Sequence, residues 1–279
     1  MAKHLITPYL KPLRPKPTGV KPRGRLQHPI RCLLCDIYGT LLISASGDIG
    51  SAQQPCEGET SLRRLLAKYK LPYPPNRIDE KLKDAISLRH RLAKAAGTAF
   101  PEVEIDEVWQ SVLGWSDLNK IREFAVEYEM IINPVWPMPG LHRLLTHCVR
   151  HGIRLGIISN AQFYTPLLME MLLEADLSSL GFNSQLTIFS YQMGLAKPSS
   201  ELFQLAVDRL VAMGIEAKHA AYLGNDMRND VSASQQAGFQ TILYAGDRRS
   251  LRWRQDDPLC IGIVPDLVID DLVCLLQHL

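Results

Sequence analysis

Short apolar runs alternate with helical patterns along most of the chain. Runs of mostly apolar residues predict buried strands at 30–36, 153–159, 185–190, 219–224, 240–244 and 266–269. The spacing between them predicts helices at about 139–151, 163–174, 199–213, 228–237 and 270–278. Strands that are apolar throughout and separated by helices are typical of a parallel sheet covered on both faces. We therefore expect an α/β fold with a doubly wound parallel sheet.

The alternation stops between residues 59 and 133, a stretch that is almost entirely helical in pattern. Its segment "EIDEVW" (104–109) places acids where the start of a helix favours them. The stretch follows the first predicted strand and precedes the rest of the sheet. The sequence therefore predicts a helical domain at 45–134, inserted into a core domain formed by 30–44 and 135–279.

The inserted domain carries two noticeable groups of side chains. We expect Trp109 and Trp115 to pack in its interior, because large aromatic rings are mostly buried. The run Arg89-His90-Arg91 is typical of a solvated helix face, although it could also face an anionic group. Near the other end of the chain, the segment 245–265 has no periodicity and is predicted to be a loop.

The N-terminal residues 1–29 form a basic, proline-rich arm. Residues 1–30 contain seven of the 31 Lys and Arg residues, six prolines and no acid. Subtracting those seven leaves 24 bases against 29 acids, so the rest of the chain is mildly acidic. Such an arm buries little apolar surface, and we expect it to be mobile or to lie along the surface. Binding to nucleic acid, a membrane or a partner chain is the alternative.

The six cysteines are irregularly spaced and follow no signal-peptide pattern, which predicts reduced thiols and a cytoplasmic protein. Cys32 and Cys35 form a C-x-x-C pair within a predicted strand. Residues three apart on a strand point to opposite faces, so we do not expect this pair to hold a metal. No apolar run approaches the roughly 18 residues of a membrane helix, so no membrane span is expected.

Four polar clusters follow directly after apolar runs. They are Asp36, Ser159-Asn160, Lys197, and Asn225-Asp226 with Asp230. Ligands of open α/β sheets bind beyond the carboxyl ends of the strands. The sequence therefore predicts that a carboxylate, a hydroxyl, a lysine and an acid pair meet at one rim of the sheet.

Four segments, "DIYGTLL", "IISNAQ", "GLAKPSSELF" and "YLGNDMRNDVSASQQAG", resemble in order and spacing the four motifs of the haloacid dehalogenase-like (HAD) hydrolases. The inserted domain resembles the helical cap of that superfamily. The resemblance covers roughly residues 30–245. It implies a hydrolase with a Rossmann-like core, a helical cap over the site and an aspartate nucleophile.

The resemblance gives the first motif its roles. Asp36 is expected to attack the substrate and form a covalent aspartyl intermediate. A carboxylate can do so at neutral pH, because its ordinary pKa is about 4. Gly39 permits the tight turn, and Thr40 with nearby backbone N–H groups is expected to contact anionic oxygens of the substrate.

The next two motifs supply substrate-binding and orienting groups. The resemblance implies that Ser159 binds the transferring phosphoryl group or a substrate carboxylate, and that Asn160 lends its backbone N–H. Lys197 is expected to orient Asp36 and to offset the negative charge of the nucleophile and the intermediate.

The fourth motif departs from the family pattern, because Asn225 stands where an acid usually follows the glycine. Asp226 and Asp230 are four residues apart and would share one side of a helical turn. Mg²⁺ prefers oxygen ligands in octahedral geometry. The expected ligands are Asp36, the backbone carbonyl of Tyr38, and Asp226, with Asp230 either nearby or in a capping or ion-pairing role.

Tyr38 also replaces the second Asp of the first motif, which in phosphatases of the superfamily protonates the leaving group. Acid–base help of that kind contributes about 10² to 10⁴ in rate. The first interpretation is a Mg²⁺-dependent phosphatase for a small phosphorylated metabolite, with Tyr38 assisting. The second is a 2-haloacid dehalogenase, because halide leaves without a proton and dehalogenases carry a "D-x-Y-G-T" loop. The third is a catalytically impaired relative that binds a ligand or partner. A small anionic substrate is expected and a nucleic acid is not; the oligomeric state is not predicted.

Overall fold

A computed structural model of the chain describes residues 3–47 and 56–279. Part of the predicted cap domain, residues 48–55, lies outside the described residues, as do the side chains of 56–58. In chain order, the elements are α1 (Lys3–Ile6), β1 (Arg23–Gly24), β2 (Cys32–Cys35), β3 (Leu42–Ser44), α2 (Cys56–Lys68), α3 (Pro75–Ala95), α4 (Ile105–Leu113), α5 (Leu118–Ile132), β4 (Val135–Pro137), α6 (Leu141–Arg150), β5 (Arg154–Ser159), α7 (Thr165–Leu173), β6 (Phe182–Phe189), α8 (Ser190–Met193), α9 (Ser200–Ala212), β7 (Ala220–Gly224), α10 (Ala233–Gln236), β8 (Gln240–Tyr244) and β9 (Leu267–Ile269).

Seven strands form the central sheet in the order β1-β9-β8-β7-β2-β5-β6. All neighbours pair in parallel except β1, which runs antiparallel to β9 at the edge. The central strand β2 is buried along its whole length, as a sheet covered on both faces requires. This confirms the predicted mixed α/β fold with a mostly parallel sheet.

Alternate residues of β2 pack into different cores on the two faces of the sheet. Cys35 belongs to the larger hydrophobic cluster, which extends into the cap, and Cys32 to a second cluster on the other side. The two thiols therefore point to opposite faces, as predicted. Burial raises the pKa of Cys32 to about 12, so this thiol stays protonated and packs as an apolar group.

Helices α2 to α5 form the cap domain around an aromatic interior. Trp109 is fully buried and packs edge-to-face against Phe124 and Tyr128. Trp115 is half-buried against Phe124. The Asp117 side chain accepts hydrogen bonds from the first N–H groups of α5 and so starts that helix.

Two chain crossings join the cap to the core. They form the short antiparallel pair β3–β4, with Leu42 opposite Pro137 and Ser44 opposite Val135. Because β3 follows directly after the turn beyond β2, the entrance to the cap lies beside the carboxyl end of the central strand. The β3–β4 pair that joins the cap to the core therefore lies beside the predicted site.

The N-terminal arm lies along the surface and contacts both domains. Ile6 is buried, and the Tyr9 hydroxyl donates a hydrogen bond to Glu127 Oε2 on α5 of the cap (2.8 Å). Further along, Lys16 O accepts from the backbone N–H of Arg248 in the core (2.8 Å). The described part of the arm therefore lies against both the cap and the core.

The structure differs from the predicted elements mainly near helix starts and at the C-terminus. The predicted helix at 228–237 begins as a π-helical turn, Met227–Ser232, before α10. The predicted helix at 270–278 is the 3₁₀ turn Leu272–Gln277. The segment 245–265 is a loop with one 3₁₀ turn at Pro258–Cys260, as expected. In the described part of the chain, no helix is both long and apolar enough to cross a bilayer.

The contact between the arm and the cap can be tested with Tyr9→Phe. The variant removes a hydrogen bond to a carboxylate that is buried, so the free energy of unfolding should fall by about 1–2 kcal/mol. Urea denaturation gives this value. Tyr73→Phe is the matched control. It makes the same change at a tyrosine whose ring lies against Lys81 (5.1 Å to the ring centroid) and not in the contact between the arm and Glu127. Equal stabilities for the two variants would contradict the arm's described position.

Candidate active site

Asp36 lies at the carboxyl end of β2, where its backbone N–H still bonds to Leu223 O of β7 (2.9 Å). The chain then turns sharply at Gly39, which has a positive φ of 82°. A Cβ on Gly39 would lie 2.4 Å from Ser250 Cβ, so a larger residue does not fit. Thr40 Oγ1 donates to Asn225 Oδ1 (2.8 Å) and thereby connects this turn to the end of β7.

One carboxylate oxygen of Asp36 is fixed by two donors. Asp36 Oδ1 accepts from Ser159 Oγ at 2.8 Å and from Lys197 Nζ at 2.7 Å. No described side chain donates to Asp36 Oδ2. The side chain is nearly buried, with 7% of the residue exposed, and lines a small cavity of about 60 Å³. Asp36 thus offers one free oxygen to a confined space.

Lys197 is a buried ammonium group surrounded by acceptors. Its Nζ donates to Asp36 Oδ1, to Asp230 Oδ1 at 2.6 Å and to Tyr222 Oη at 3.1 Å. Burial alone lowers the pKa of Lys197, but the carboxylates of Asp230 and Asp36 outweigh it and hold this pKa above the ordinary value. The lysine is therefore a permanent positive charge. Its backbone N–H bonds to Asn160 Oδ1 (2.7 Å), which positions the residue.

Asp230 is held at the base of the site by backbone and side-chain donors. Its Oδ2 accepts from the backbone N–H groups of Asn225 and Asp226, both at 2.9 Å. Burial raises the pKa of Asp230, and the charge of Asp36 adds to this rise, although Lys197 opposes it. The two carboxylates thus raise the pKa of Lys197, whereas the pKa of Asp230 is raised chiefly by burial. Asp230 therefore has the ion-pairing role that the sequence left open.

Asp226 is engaged by an arginine. Arg254 Nη2 lies 2.7 Å from Asp226 Oδ2, and Arg254 Nε lies 3.1 Å from the same oxygen. Asp226 Oδ1 caps the π-helical turn by accepting from the backbone N–H groups of Arg228 and Asn229. Arg254 has a positive φ of 50°, a conformation that a residue with a Cβ rarely adopts. The ion pair with Asp226 thus accompanies an unfavourable backbone conformation of Arg254.

Two of the expected Mg²⁺ ligands, Asp226 and Asp230, already have cationic side chains as partners. Asp226 already has a cation, Asp230 is paired with Lys197, and Asn225 provides an amide that bonds to Thr40 and Ser250. Across the described residues, no three His, Cys, Asp or Glu side chains are grouped so as to hold a metal ion. Metal binding at Asp36, the Tyr38 backbone carbonyl, Asp226 and Asp230 stays a prediction, and a metal ion there would have to displace the Arg254 pairing of Asp226.

The Tyr38 hydroxyl points away from the nucleophile. It forms a buried hydrogen bond with Thr165 Oγ1 (2.9 Å), which also accepts from the backbone N–H of Gln162 (3.1 Å). Burial and the nearby Glu129 raise the pKa of Tyr38 far above its ordinary value. A phenol with this pKa and this partner is a poor proton donor near neutral pH, so the sequence-based idea that Tyr38 assists the leaving group finds no support in the geometry.

The structure brings most of the predicted site residues to one rim of the sheet, where hydrogen bonds connect them: Asp36, Ser159, Asn160, Lys197 and Asp230. Gly39 and Thr40 shape the turn, and their contact with the anionic oxygens of a substrate stays a prediction. Sequence reasoning missed Tyr222 and Arg254. Tyr222 could have been found, because a tyrosine in a buried strand needs a partner for its hydroxyl. Arg254 lies in a loop without pattern and gives no such signal.

Comparison with known protein families shows the family of this chain. Residues 30–238 match the haloacid dehalogenase-like hydrolases, which is well over half of the chain. The chain belongs to this family. No curated protein matches it by sequence.

Solved structures share the fold of this HAD hydrolase across nearly the whole chain. A 2-haloacid dehalogenase from Pseudomonas syringae pv. Tomato DC3000 aligns at 20% identity and a TM-score of 0.57, covering 89% of this chain and 97% of its own. A HAD phosphatase from Thermococcus onnurineus aligns at 17% identity and 0.54, covering 89% and 97%. The magnesium-bound HAD-hydrolase YfnB from Bacillus subtilis aligns at 19% and 0.52, covering 90% and 98%. At these identities the similarity shows the fold alone.

The ion-pair cluster around Lys197 can be tested with Lys197→Met. This change leaves the buried carboxylates of Asp36 and Asp230 uncompensated, so the free energy of unfolding should fall by about 3–5 kcal/mol. Adding Asp230→Asn should recover part of the loss, because one uncompensated charge disappears. Lys218→Met is the control, since that lysine is half-exposed, and it should change stability little. Chemical denaturation of the four proteins decides, and a similar loss for Lys197→Met and Lys218→Met would contradict the cluster.

Proposed function

We propose that this HAD hydrolase displaces a leaving group from carbon through an ester on Asp36, without a metal ion, with carbon–halogen hydrolysis of a 2-haloacid as the model reaction. The observation that carries the proposal is the engagement of every other acidic group of the site. Asp226 is paired with Arg254 and Asp230 with Lys197, while the Tyr38 hydroxyl is bonded to Thr165. A leaving group that needs neither a proton nor a metal suits this arrangement.

The first step uses the free oxygen of Asp36. Asp36 Oδ2 attacks the carbon that bears the halogen, a C–O bond forms, and the C–halogen bond breaks as halide leaves with the bonding electrons. Halide needs no proton, so the missing second Asp of the first motif costs nothing in this step. The cavity beside Asp36, about 60 Å³, has room for a small reacting group.

The second step uses the donors on the other oxygen. Water adds to the ester carbonyl carbon of Asp36, the ester C–O bond breaks, and the alcohol product, the free carboxylate and one proton result. Negative charge develops on Oδ1 during this addition. Oδ1 already accepts hydrogen bonds from Ser159 and Lys197, so both donors lie where an oxyanion forms.

A magnesium-dependent phosphatase is the second candidate. The observation in its favour is that Asp36, Asp226 and Asp230 line the same cavity. Arg254 is about one-third exposed, so a divalent cation that displaced it would meet the Asp226 carboxylate. Fold neighbours of both kinds, dehalogenase and phosphatase, are compatible with the two candidates.

Halide release distinguishes the first candidate. The wild-type protein should release chloride from 2-chloropropionate in the presence of EDTA, and Asp36→Asn should fall to the level of buffer alone, because an amide is a poor nucleophile. Asp84→Asn, an exposed change of the same kind on α3, should keep full activity. The measurement is chloride concentration over time. Release that requires Mg²⁺, or that survives in Asp36→Asn, contradicts the mechanism. Absence of turnover for both chloropropionate and phosphate esters would favour a catalytically impaired relative.

Magnesium affinity distinguishes the second candidate. Arg254→Gln removes the cation that competes for Asp226, so it should bind Mg²⁺ about tenfold more tightly than the wild type, a difference of about 1.4 kcal/mol. Isothermal titration with Mg²⁺ measures this, and Arg248→Gln is the control because that side chain bonds to Pro17 O of the arm. The phosphatase would be favoured by two results together. The wild type, Arg254→Gln and Arg248→Gln would bind Mg²⁺ equally tightly, and the hydrolysis of p-nitrophenyl phosphate would depend on Mg²⁺.

A further inference from the structure

The N-terminal arm connects the cap and the core at a place separate from the two chain crossings. Its helix α1 packs against α5 of the cap. At the end of α1, Ile6 is 2% exposed and faces residues of α7, which belongs to the core. Three residues later, the Tyr9 hydroxyl bonds to Glu127 of α5 (2.8 Å). The start of the arm is therefore in contact with both domains.

The cap end of the arm is bonded to a buried carboxylate. Glu127 is 3% exposed, and its Oε1 accepts from Lys68 Nζ (2.6 Å) and from Tyr69 Oη (2.7 Å). Its Oε2 accepts from Tyr9 Oη, and no other described residue donates to this oxygen. A buried carboxylate oxygen costs free energy when its donor is removed. This contact therefore holds the arm on the cap.

The core end of the arm is bonded to the loop that follows β8. Arg14 O accepts from Arg249 Nη2 (2.7 Å), and Lys16 O accepts from the backbone N–H of Arg248 (2.8 Å). The next residue of the same loop, Ser250, lines the small cavity of the candidate active site. The arm is therefore attached to a loop that forms part of that site.

The spacer between the two ends of the arm is short and stiff. Arg14 is five residues after Tyr9, a stretch that spans at most about 18 Å. Leu10 is extended, with φ −71° and ψ 113°. Lys11 precedes Pro12, and the residue before a proline favours extended backbone. An extended spacer can lengthen little further, so it limits how far the cap end can move from the core end.

The arm attaches to the cap away from the covalent connections. Those connections lie side by side as the β3–β4 pair, an arrangement that can act as a hinge. A cavity of about 400 Å³ lies between helices α3, α4 and α5 and the loop after β5, so the domains are not densely packed there. Glu127 lies five residues before the end of α5, about 8 Å along the helix. A restraint at this distance opposes rotation about the β3–β4 pair.

Access to Asp36 requires such a movement. Asp36 is 7% exposed, and its cavity is about 60 Å³, so a substrate reaches it when the surrounding elements separate. We propose that the N-terminal arm is a strap, anchored on Glu127 and on the loop after β8, that limits the opening of the cap over Asp36. This inference goes beyond the proposed function, because it concerns access to the site and applies whichever reaction Asp36 carries out.

Lengthening the spacer tests the strap in the full-length protein. Three Gly-Ser pairs inserted between Lys11 and Pro12 add up to about 20 Å of reach and leave both ends of the arm intact. Genetically encoded spin labels at the exposed positions Leu88 of the cap and Val211 of the core report the distance between the domains by double electron–electron resonance. The population of long distances should rise about tenfold, because opening no longer breaks a hydrogen bond to a charged group.

The same insertion between Lys21 and Pro22 is the matched control. It lies between two stretches that are both bound to the core, since the Thr18 hydroxyl donates to Ala245 O and β1 pairs with β9. It therefore lengthens the arm without loosening the cap, and the distances should match those of the wild type. Equal distance distributions in all three proteins, or equal broadening by both insertions, overturn the inference.

Side-chain changes provide a second test where the first insertion does not fold. The double variant Ile6→Ala and Tyr9→Phe releases the cap end of the arm, and Tyr73→Phe is its control. The double variant should show the same rise in long distances, and an unchanged distribution in the folded protein overturns the inference. The readout is a distance and needs no substrate, so an absence of halide release bears on the proposed function alone.

Discussion

A buried positive charge between two carboxylates is the constraint on which the site depends. Lys197 is 6% exposed, and an ammonium group in such a place is tolerated only with close anionic partners. Those partners are Asp36 at the end of β2 and Asp230 in the turn after β7. Because the lysine itself follows β6, three separate strand ends must meet at one point. The contacts that satisfy this charge therefore also orient Asp36, the proposed nucleophile.

The two cavities differ in the polarity of the side chains that line them. Around Asp36, the acidic side chains have cationic partners: Lys197 for Asp36 and Asp230, and Arg254 for Asp226. One carboxylate oxygen of Asp36 remains free, and it is the one available for bond formation. Beyond Asn160, which lines both cavities, the wall becomes mainly apolar, and burial raises the pKa of Glu129 there. Under the proposed function, a substrate with a polar reacting end and an apolar body matches this sequence of environments.

Much of the fold and the centre of the site could be predicted, because strand-end positions follow from apolar runs and turns alone. Asp36 and Lys197 illustrate this, since each follows a strand whose partners are parallel neighbours. Arg254 could not be predicted, because its contact with Asp226 joins a loop without periodicity to a strand end 28 residues away. The run around His90 shows a related limit. Arg89 forms an ion pair with Glu107 on the outside of the cap, while His90, the next residue, lines the inner cavity. The sequence alone does not show that these adjacent basic residues face different surroundings.

Tyr38 shows how a substitution changes chemistry through position more than through its own functional group. From the sequence, the phenol could have served as a replacement acid. Its length carries the hydroxyl past Asp36 to Thr165, where the bond fixes the first residue of α7 beside the nucleophile loop. The ring thus fills space that a shorter carboxylate would leave open. It also avoids adding a fourth acid to a site where Lys197 and Arg254 already pair with three, Asp36, Asp226 and Asp230. Additional negative charge there would repel an anionic substrate from Asp36. Under the proposed function, the tyrosine therefore suits a substrate that carries its own good leaving group. The loss of the proton donor and the lower negative charge then have one structural cause, the replacement of a carboxylate by a phenol.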